Sequence, residues 1–211
     1  MALDLEEQEQ VAELKAWWRQ HGNLIVGTIL AVALAFAGWQ GWRWYQANQA
    51  AQAAALYDAL ARAVQAADAK VVRDSAGTLI ESYPRTLYAS MGALVAARFH
   101  FDRNDLKAAR AQLQWVMEHS PAEDFRDLAR LRLAAVALDE KAYDEALKLL
   151  EAKHAPAYDS QYAALRGDVL VAKNQPAEAR AAYQLALEKG GKEQGAAFRE
   201  SVRMRLEALG G

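Results

Sequence analysis

Four histidines, His21, His100, His119 and His154, are the side chains best suited to hold a metal or shuttle a proton, yet no two lie four residues apart. A metal site on one helix needs that spacing, because i and i+4 bring two imidazoles to one face. Cysteine is absent, which removes thiolate ligands, disulfides and thiol nucleophiles while leaving the compartment open. Tyr88-Ala89-Ser90-Met91-Gly92 carries the second half of a nucleophile elbow. Tyr88, however, stands where a glycine must make the turn, and the segment reads as helix. Asp102-Arg103-Asn104-Asp105 begins like a calcium loop, then lacks the glycine at the sixth position and has Leu113 where the bidentate glutamate belongs. Glycines after the apolar stretch are scattered apart from Gly190-Gly191, so no loop is built to cradle phosphates. The many carboxylates read as solvated helix faces paired at i, i+4. No enzyme activity, metal or cofactor is expected, and function must lie in a surface.

Charge and secondary structure limit what that surface can be. Lysine and arginine number 25 against 27 aspartate and glutamate, a formal charge of −2, so no positive field is available for a phosphate backbone and no nucleic acid is expected. With 48 alanines, 12 glycines and 4 prolines in 211 residues, the chain favours an all-α fold. Residues 1–22 form an acidic tail, with Asp4, Glu6, Glu7, Glu9 and Glu13 against Lys15 and Arg19. Residues 23–45 read as one transmembrane helix. Leu24 to Trp42 is apolar apart from Thr28 and Gln40 and rises about 28 Å, close to the hydrocarbon thickness of a bilayer. Trp17 and Trp18 precede it and Trp39, Trp42, Trp44 and Tyr45 close it, where aromatic belts meet the headgroups. The competing readings fit less well: a core helix would show a polar face, and a cleaved signal peptide would open on a basic leader. Lys15 and Arg19 before the span against Arg43 after it lean weakly towards a cytoplasmic N-terminus. Gly27, Ala31, Ala35 and Gly38 form one small-residue ridge on which another membrane helix could pack, although such residues are also simply common in membrane helices.

Residues 46–211 read as repeated helical hairpins. Asn104-Asp105-Leu106-Lys107-Ala108-Ala109, Lys141-Ala142-Tyr143-Asp144-Glu145-Ala146 and Asn174-Gln175-Pro176-Ala177-Glu178-Ala179 open three blocks, with Leu113, Leu150 and Tyr183 four residues beyond the last alanine of each. Ala97, Ala134 and Gly167 supply the small crossing position of the preceding helices, and Pro84 and Pro121 end the second helices. The spacing resembles the tetratricopeptide repeat, whose stacked hairpins bury a stripe that none can bury alone. The consensus first-helix Trp and Tyr are missing, and Leu56 to Pro84 keeps little beyond its proline, so three repeats follow a divergent pair. A non-repetitive helical bundle is the competing arrangement. A last helix, about Glu193 to Leu209, is expected to cap the stack with Phe198, Val202, Met204, Leu206 and Leu209, after a stop at Gly190-Gly191. The alanine-rich stretch Ala47 to Ala69 predicts one long helix, or two with a mild break, joining span to solenoid with no flexible linker. Such solenoids offer a groove lined by first helices, here Met91, Leu94, Arg98, Phe101 and Asp102, with Gln161, Asp168 and Val171 in the third repeat. The alternative is that these residues only support a solvated face.

The acidic run followed by Val11, Lys15, Trp17-Trp18 and Gly22, then Gly41-Trp42-Arg43-Trp44-Tyr45, Leu131-Arg132-Leu133-Ala134, and Leu165-Arg166-Gly167-Asp168 with Ala179-Arg180, give the whole chain a resemblance to the YfgM family, ancillary subunits of the SecYEG translocon. It implies a single-pass inner-membrane protein of a Gram-negative bacterium with a cytoplasmic tail and a periplasmic tetratricopeptide-like domain. The implied partners are SecYEG, the lipid bilayer and a membrane-anchored periplasmic chaperone of the peptidyl-prolyl isomerase class. The implied role is a scaffold helping newly translocated proteins leave the channel, with no catalytic residues to carry over. A regulatory anchor whose acidic tail restrains a cytoplasmic signalling protein is the alternative; deleting residues 2–14 would abolish that role while sparing translocon association.

Overall fold

The computed structural model describes residues 5–190 and 195–210. These fold as α1 (Leu5–Gln65), α2 (Ala69–Ser82), α3 (Leu87–Phe101), α4 (Leu106–His119), α5 (Glu123–Asp139), α6 (Tyr143–Leu150), a 3-10 turn (Pro156–Tyr158), α7 (Asp159–Ala172), α8 (Pro176–Gly190) and α9 (Ala196–Ala208). No strand occurs among the described residues, so the all-α expectation holds. The chain divides into two compact units, Met1–Asn48 and Gln49–Gly211.

In the first unit α1 leaves most of its apolar surface uncovered: Leu24, Val26, Ile29, Leu30, Val32, Leu34 and Phe36 are each more than half exposed. Leaving that surface in water is unfavourable by about 25 cal/mol per Å², and α1 is long and apolar enough to cross a membrane. The Thr28 hydroxyl donates to the Leu24 carbonyl at 2.8 Å, which satisfies it within the helix, as hydrocarbon demands. At one end of the span His21 stacks on Trp17, ring centroids 5.2 Å apart. At the other the Arg43 guanidinium lies 4.9 Å from the centre of the Trp39 ring. The acidic tail is helical from Leu5 onward, and residues 1–4 lie outside the described residues.

The second unit is built from one local device used four times. Ala67, Asn104, Lys141 and Asn174 all adopt the left-handed conformation, with φ between 57° and 61°. After each, the next N–H reaches back five residues: Asp68 to the Ala63 carbonyl, Asp105 to His100, Ala142 to Ala137 and Gln175 to Leu170, all at 2.8–2.9 Å. This closure satisfies the orphan carbonyls of a helix end and reverses the chain. The turn residues are 37, 37 and 33 positions apart, so the end of α1 with α2, then α3/α4, α5/α6 and α7/α8, are four copies of one hairpin rather than a non-repetitive bundle. Asp68, Thr86 and Asp105 cap the N-termini of α2, α3 and α4 with their side-chain oxygens. Pro84 and Pro121 follow the ends of α2 and α4, as the spacing predicts.

Packing within each hairpin depends on paired sizes. Seven residues before the turn residue stand Leu60, Ala97, Ala134 and Gly167, and nine residues after it stand Ala76, Leu113, Leu150 and Tyr183, all buried. A large residue on one helix always meets a small one on the other. In the fourth hairpin the extreme pair is used: a Cβ on Gly167 would sit 2.4 Å from Cε1 of the Tyr183 ring. Five residues after the turn, Val72, Ala109, Ala146 and Ala179 are fully buried.

Helix α9 closes the stack with Val202 fully buried and Phe198, Leu206 and Leu209 packed on the cluster around Tyr183. Met204 departs from the sequence expectation and is 57% exposed, because two residues from Val202 on a helix means the opposite face. Gly191 and Glu193, expected at the preceding stop and helix start, lie outside the described residues. Polar bonds add to this packing. Ser90 donates to Ser120 at 3.0 Å within the second hairpin, and Tyr162 donates to the Asp127 carbonyl at 2.8 Å between the fourth and the third. Burial pushes the Tyr162 hydroxyl from its ordinary pKa near 10 up to about 12. The fold favours the protonated phenol, so this contribution is complete below pH 10 and fades as pH rises through 12. Thermal melts between pH 10 and 12 should therefore flatten in a Tyr162→Phe variant.

Candidate interaction groove

Three first helices supply one open groove of about 570 Å³. The end of α1 contributes Tyr57 and Val64, α3 contributes Met91, Leu94, Val95 and Arg98, and α5 contributes Phe125, Leu128 and Arg132. The repeat explains this convergence. Met91 and Leu128 each stand thirteen residues before a turn residue, so copies of one position face one space. A smaller cavity of about 110 Å³, lined by Ala97, Phe101, Leu113 and Val136 among others, adjoins it, and Arg98 and Arg132 line both.

Four of the five groove residues expected from the first clear repeat, Met91, Leu94, Arg98 and Asp102, line the larger space, and Phe101 lines the smaller one. Leu94 is only 6% exposed and joins the core at the groove wall. The third-repeat positions are placed elsewhere. Gln161 is half-buried on α7 and lines neither cavity. Asp168 accepts from the Tyr183 hydroxyl at 2.8 Å and from Nη1 of Arg205 at 2.8 Å, tying α7 to α8 and α9. Val171 is 42% exposed. The ridge residues Gly27, Ala31, Ala35 and Gly38 lie on α1 in the first unit, and a Cβ at Gly27 or Gly38 would meet nothing within 4 Å.

Sequence reasoning did not select Phe125, Leu128 or Arg132. A signal for them existed, since Leu128 lies 37 residues after Met91 in the repeat register.

Apolar walls and unequal charges define the groove. Nε of Arg98 donates to Asp102 at 2.8 Å, an exposed pair of small energetic weight. Arg103 lies over the Phe99 ring at 3.6 Å, a cation–π contact. Arg132 is exposed to the groove and has no hydrogen bond or ion pair among the described residues. Crowding by the surrounding protein, then the neighbouring Arg98 charge, lowers its pKa below the usual value. Arg110, by contrast, is held by Glu145 and Glu140, which raise its pKa. Arg130 likewise pairs with Asp127 at 2.8 Å, and Arg205 with Asp168.

The residues that suggested chemistry serve the fold. Ser90 is fully buried in its bond to Ser120, and Asp105 caps α4 while approaching Nδ1 of His100 at 3.2 Å. His119 stacks on Trp115, and His154 stacks on Tyr162 beside Asp159. Among the described residues no three His, Asp or Glu side chains are grouped to hold a metal ion. The architecture points to a non-catalytic adaptor.

Comparison with known proteins agrees with the fold. Residues 15–211 match the tetratricopeptide repeat-like domain family. An ancillary SecYEG translocon subunit of Haemophilus influenzae is 31% identical over 90% of this chain and 93% of its own. A protein of the same description from Neisseria gonorrhoeae is 30% identical over 99% of this chain and all of its own, and one from Escherichia coli K12 is 29% identical over 84% and 85%. With the repeat turns, the apolar helix and these relatives in place, the chain belongs to the YfgM family of tetratricopeptide repeat-like, ancillary SecYEG translocon subunits.

Proposed function

We propose that this protein is a membrane-anchored scaffold of the SecYEG translocon, with a cytoplasmic N-terminus and a periplasmic solenoid. In this reading the groove holds a membrane-anchored chaperone of the peptidyl-prolyl isomerase class or a segment of a newly translocated protein. The observation that carries it is the open groove made by the first helices of three hairpins, on a chain that also bears an apolar helix able to span a bilayer. The relatives' shared description as ancillary SecYEG translocon subunits supplies the membrane partner. The ridge Gly27, Ala31, Ala35 and Gly38 gives that partner's helix a face for close approach, open at both glycines.

Photo-crosslinking in native membranes tests the scaffold. A reactive residue at Ala31 should capture a translocon subunit, and one at Arg98 a chaperone or client; capture at neither position would sink the proposal. Replacing Ala31 and Ala35 by leucine should weaken co-purification of the translocon, and unchanged recovery would remove the ridge from the account. A reporter fused after Gly211 should be active only in the periplasm.

A further inference from the structure

An unpaired arginine facing an apolar groove is the feature that the fold itself does not explain. Arg110, Arg130 and Arg205, on the same stack of hairpins, each have a carboxylate partner within the chain. Arg132 has none among the described residues, and it is exposed to the groove. Among the described residues the charged side chain that bears on it is Arg98, a like charge. Arg98 in turn has its side chain 70% exposed and paired with Asp102. Together with Arg103 the groove carries three cations against one carboxylate. Tyr57, Met91, Phe125 and Leu128 offer apolar contact around that charge.

We propose that the groove across α1, α3 and α5 takes polypeptide segments that combine apolar side chains with an acidic one, and that Arg132, aided by Arg98, reads the carboxylate. The assignment rests on the solenoid being a docking module and names what it docks. Apolar contact supplies affinity that tolerates many sequences. A carboxylate placed between Arg98 and Arg132 would form a charge-assisted, bidentate bond and relieve the repulsion between the two guanidinium groups. Such a groove discriminates by charge rather than by sequence. Basic segments of equal hydrophobicity are rejected, because they add a fourth positive charge to the same space.

The test uses the full chain in detergent and three fluorescent twelve-residue peptides, with leucine and phenylalanine at fixed positions and glutamate, glutamine or lysine between them. Fluorescence anisotropy should show the glutamate peptide binding about tenfold or more tightly than the glutamine peptide, with the lysine peptide weakest, and the preference should shrink with added salt. Arg132→Gln should bring the glutamate-to-glutamine ratio close to one while leaving the glutamine peptide's affinity unchanged. Circular dichroism should show the variant as stable as the parent, since Arg132 makes no hydrogen bond or ion pair among the described residues. Equal binding of the three peptides, or a preference that survives Arg132→Gln, overturns the charge assignment and leaves the docking reading standing. Binding of none of them overturns both. Retention of the chain on phosphatidylglycerol vesicles through Arg132, without a peptide preference, would assign the arginine to lipid and overturn the proposal.

Discussion

Gly167→Ala should destabilise the solenoid by about 1–3 kcal/mol, against the direction expected of a glycine replaced inside a helix. Helix propensity alone favours alanine by about 1 kcal/mol. The added methyl, however, would lie 2.4–2.8 Å from three carbons of the Tyr183 ring, and overpacking of a rigid core commonly costs about 1–3 kcal/mol. The ring has little freedom to retreat, because Tyr183 is 2% exposed and its hydroxyl donates to Asp168 at 2.8 Å. Gly92 is the parallel case. A Cβ there would meet Leu79 at 2.5 Å and Leu60 at 3.3 Å, both fully buried, so alanine should be destabilising there as well. Gly77 is the opposite control: its position is open, and alanine there should stabilise α2. The third hairpin shows what would rescue the first variant. Ala134 pairs with Leu150 at the register where the fourth uses Gly167 and Tyr183. Tyr183→Leu alone should leave a void and remove a partner of Asp168, while the double variant should lose less than the sum of the two. A double-mutant cycle on thermal melts measures that coupling, and strict additivity would mean that the two residues do not share one space.

The same size rule explains how much of the fold was legible in the sequence. Asn104 and Asn174 are residue types that tolerate the left-handed conformation, and with Lys141 they open the blocks from which the repeat is read. The first hairpin hid itself because Ala67 occupies the turn, and Leu60 and Val72 stand where later hairpins have alanine or glycine. Its compensation, Ala76 in place of a large residue, becomes visible only when both helices are seen together. The long apolar span needed no partner to be recognised, since its signal is local. The groove was half legible. Register put Met91, Leu94, Arg98 and Asp102 on one face, and they line one space, yet the same register applied to the third repeat gave Asp168, which the capping helix claims through Arg205. A periodic rule cannot foresee that the end of a solenoid is covered. Arg132 was missed because its counterpart 37 residues earlier is Val95, an apolar residue with no hint of charge recognition.

Asp127→Ala should be the most damaging polar substitution, with a loss of about 3 kcal/mol. This carboxylate is 7% exposed, and its two oxygens serve two elements: Oδ1 accepts from Nη1 of Arg130 at 2.8 Å, and Oδ2 from the backbone N–H of Ala155 at 2.9 Å. The second bond joins α5 to the segment leading into α7, alongside the Tyr158 and Tyr162 hydroxyls, which donate to the Asp124 and Asp127 carbonyls. Removing the carboxylate strands a guanidinium and a backbone donor together, and breaking a buried pair from one side typically costs about 3–5 kcal/mol. Arg130 keeps partial exposure and a weak contact to the Lys153 carbonyl at 3.5 Å, which places the expected loss at the lower end. For a unit of this size that is a fall in Tm of about 6–12 °C. Asp127→Asn retains the shape and one acceptor and should lose roughly a third as much. Because each hairpin contacts mainly its neighbours, the damage should be local. Hydrogen exchange should speed up in α5, α6 and the start of α7, while α2 keeps its protection. Since α5 carries Phe125, Leu128 and Arg132, loosening it should weaken capture by a crosslinker at Arg98 without altering capture at Ala31. Uniform loss of protection along the whole chain would instead show that the solenoid opens as one cooperative unit.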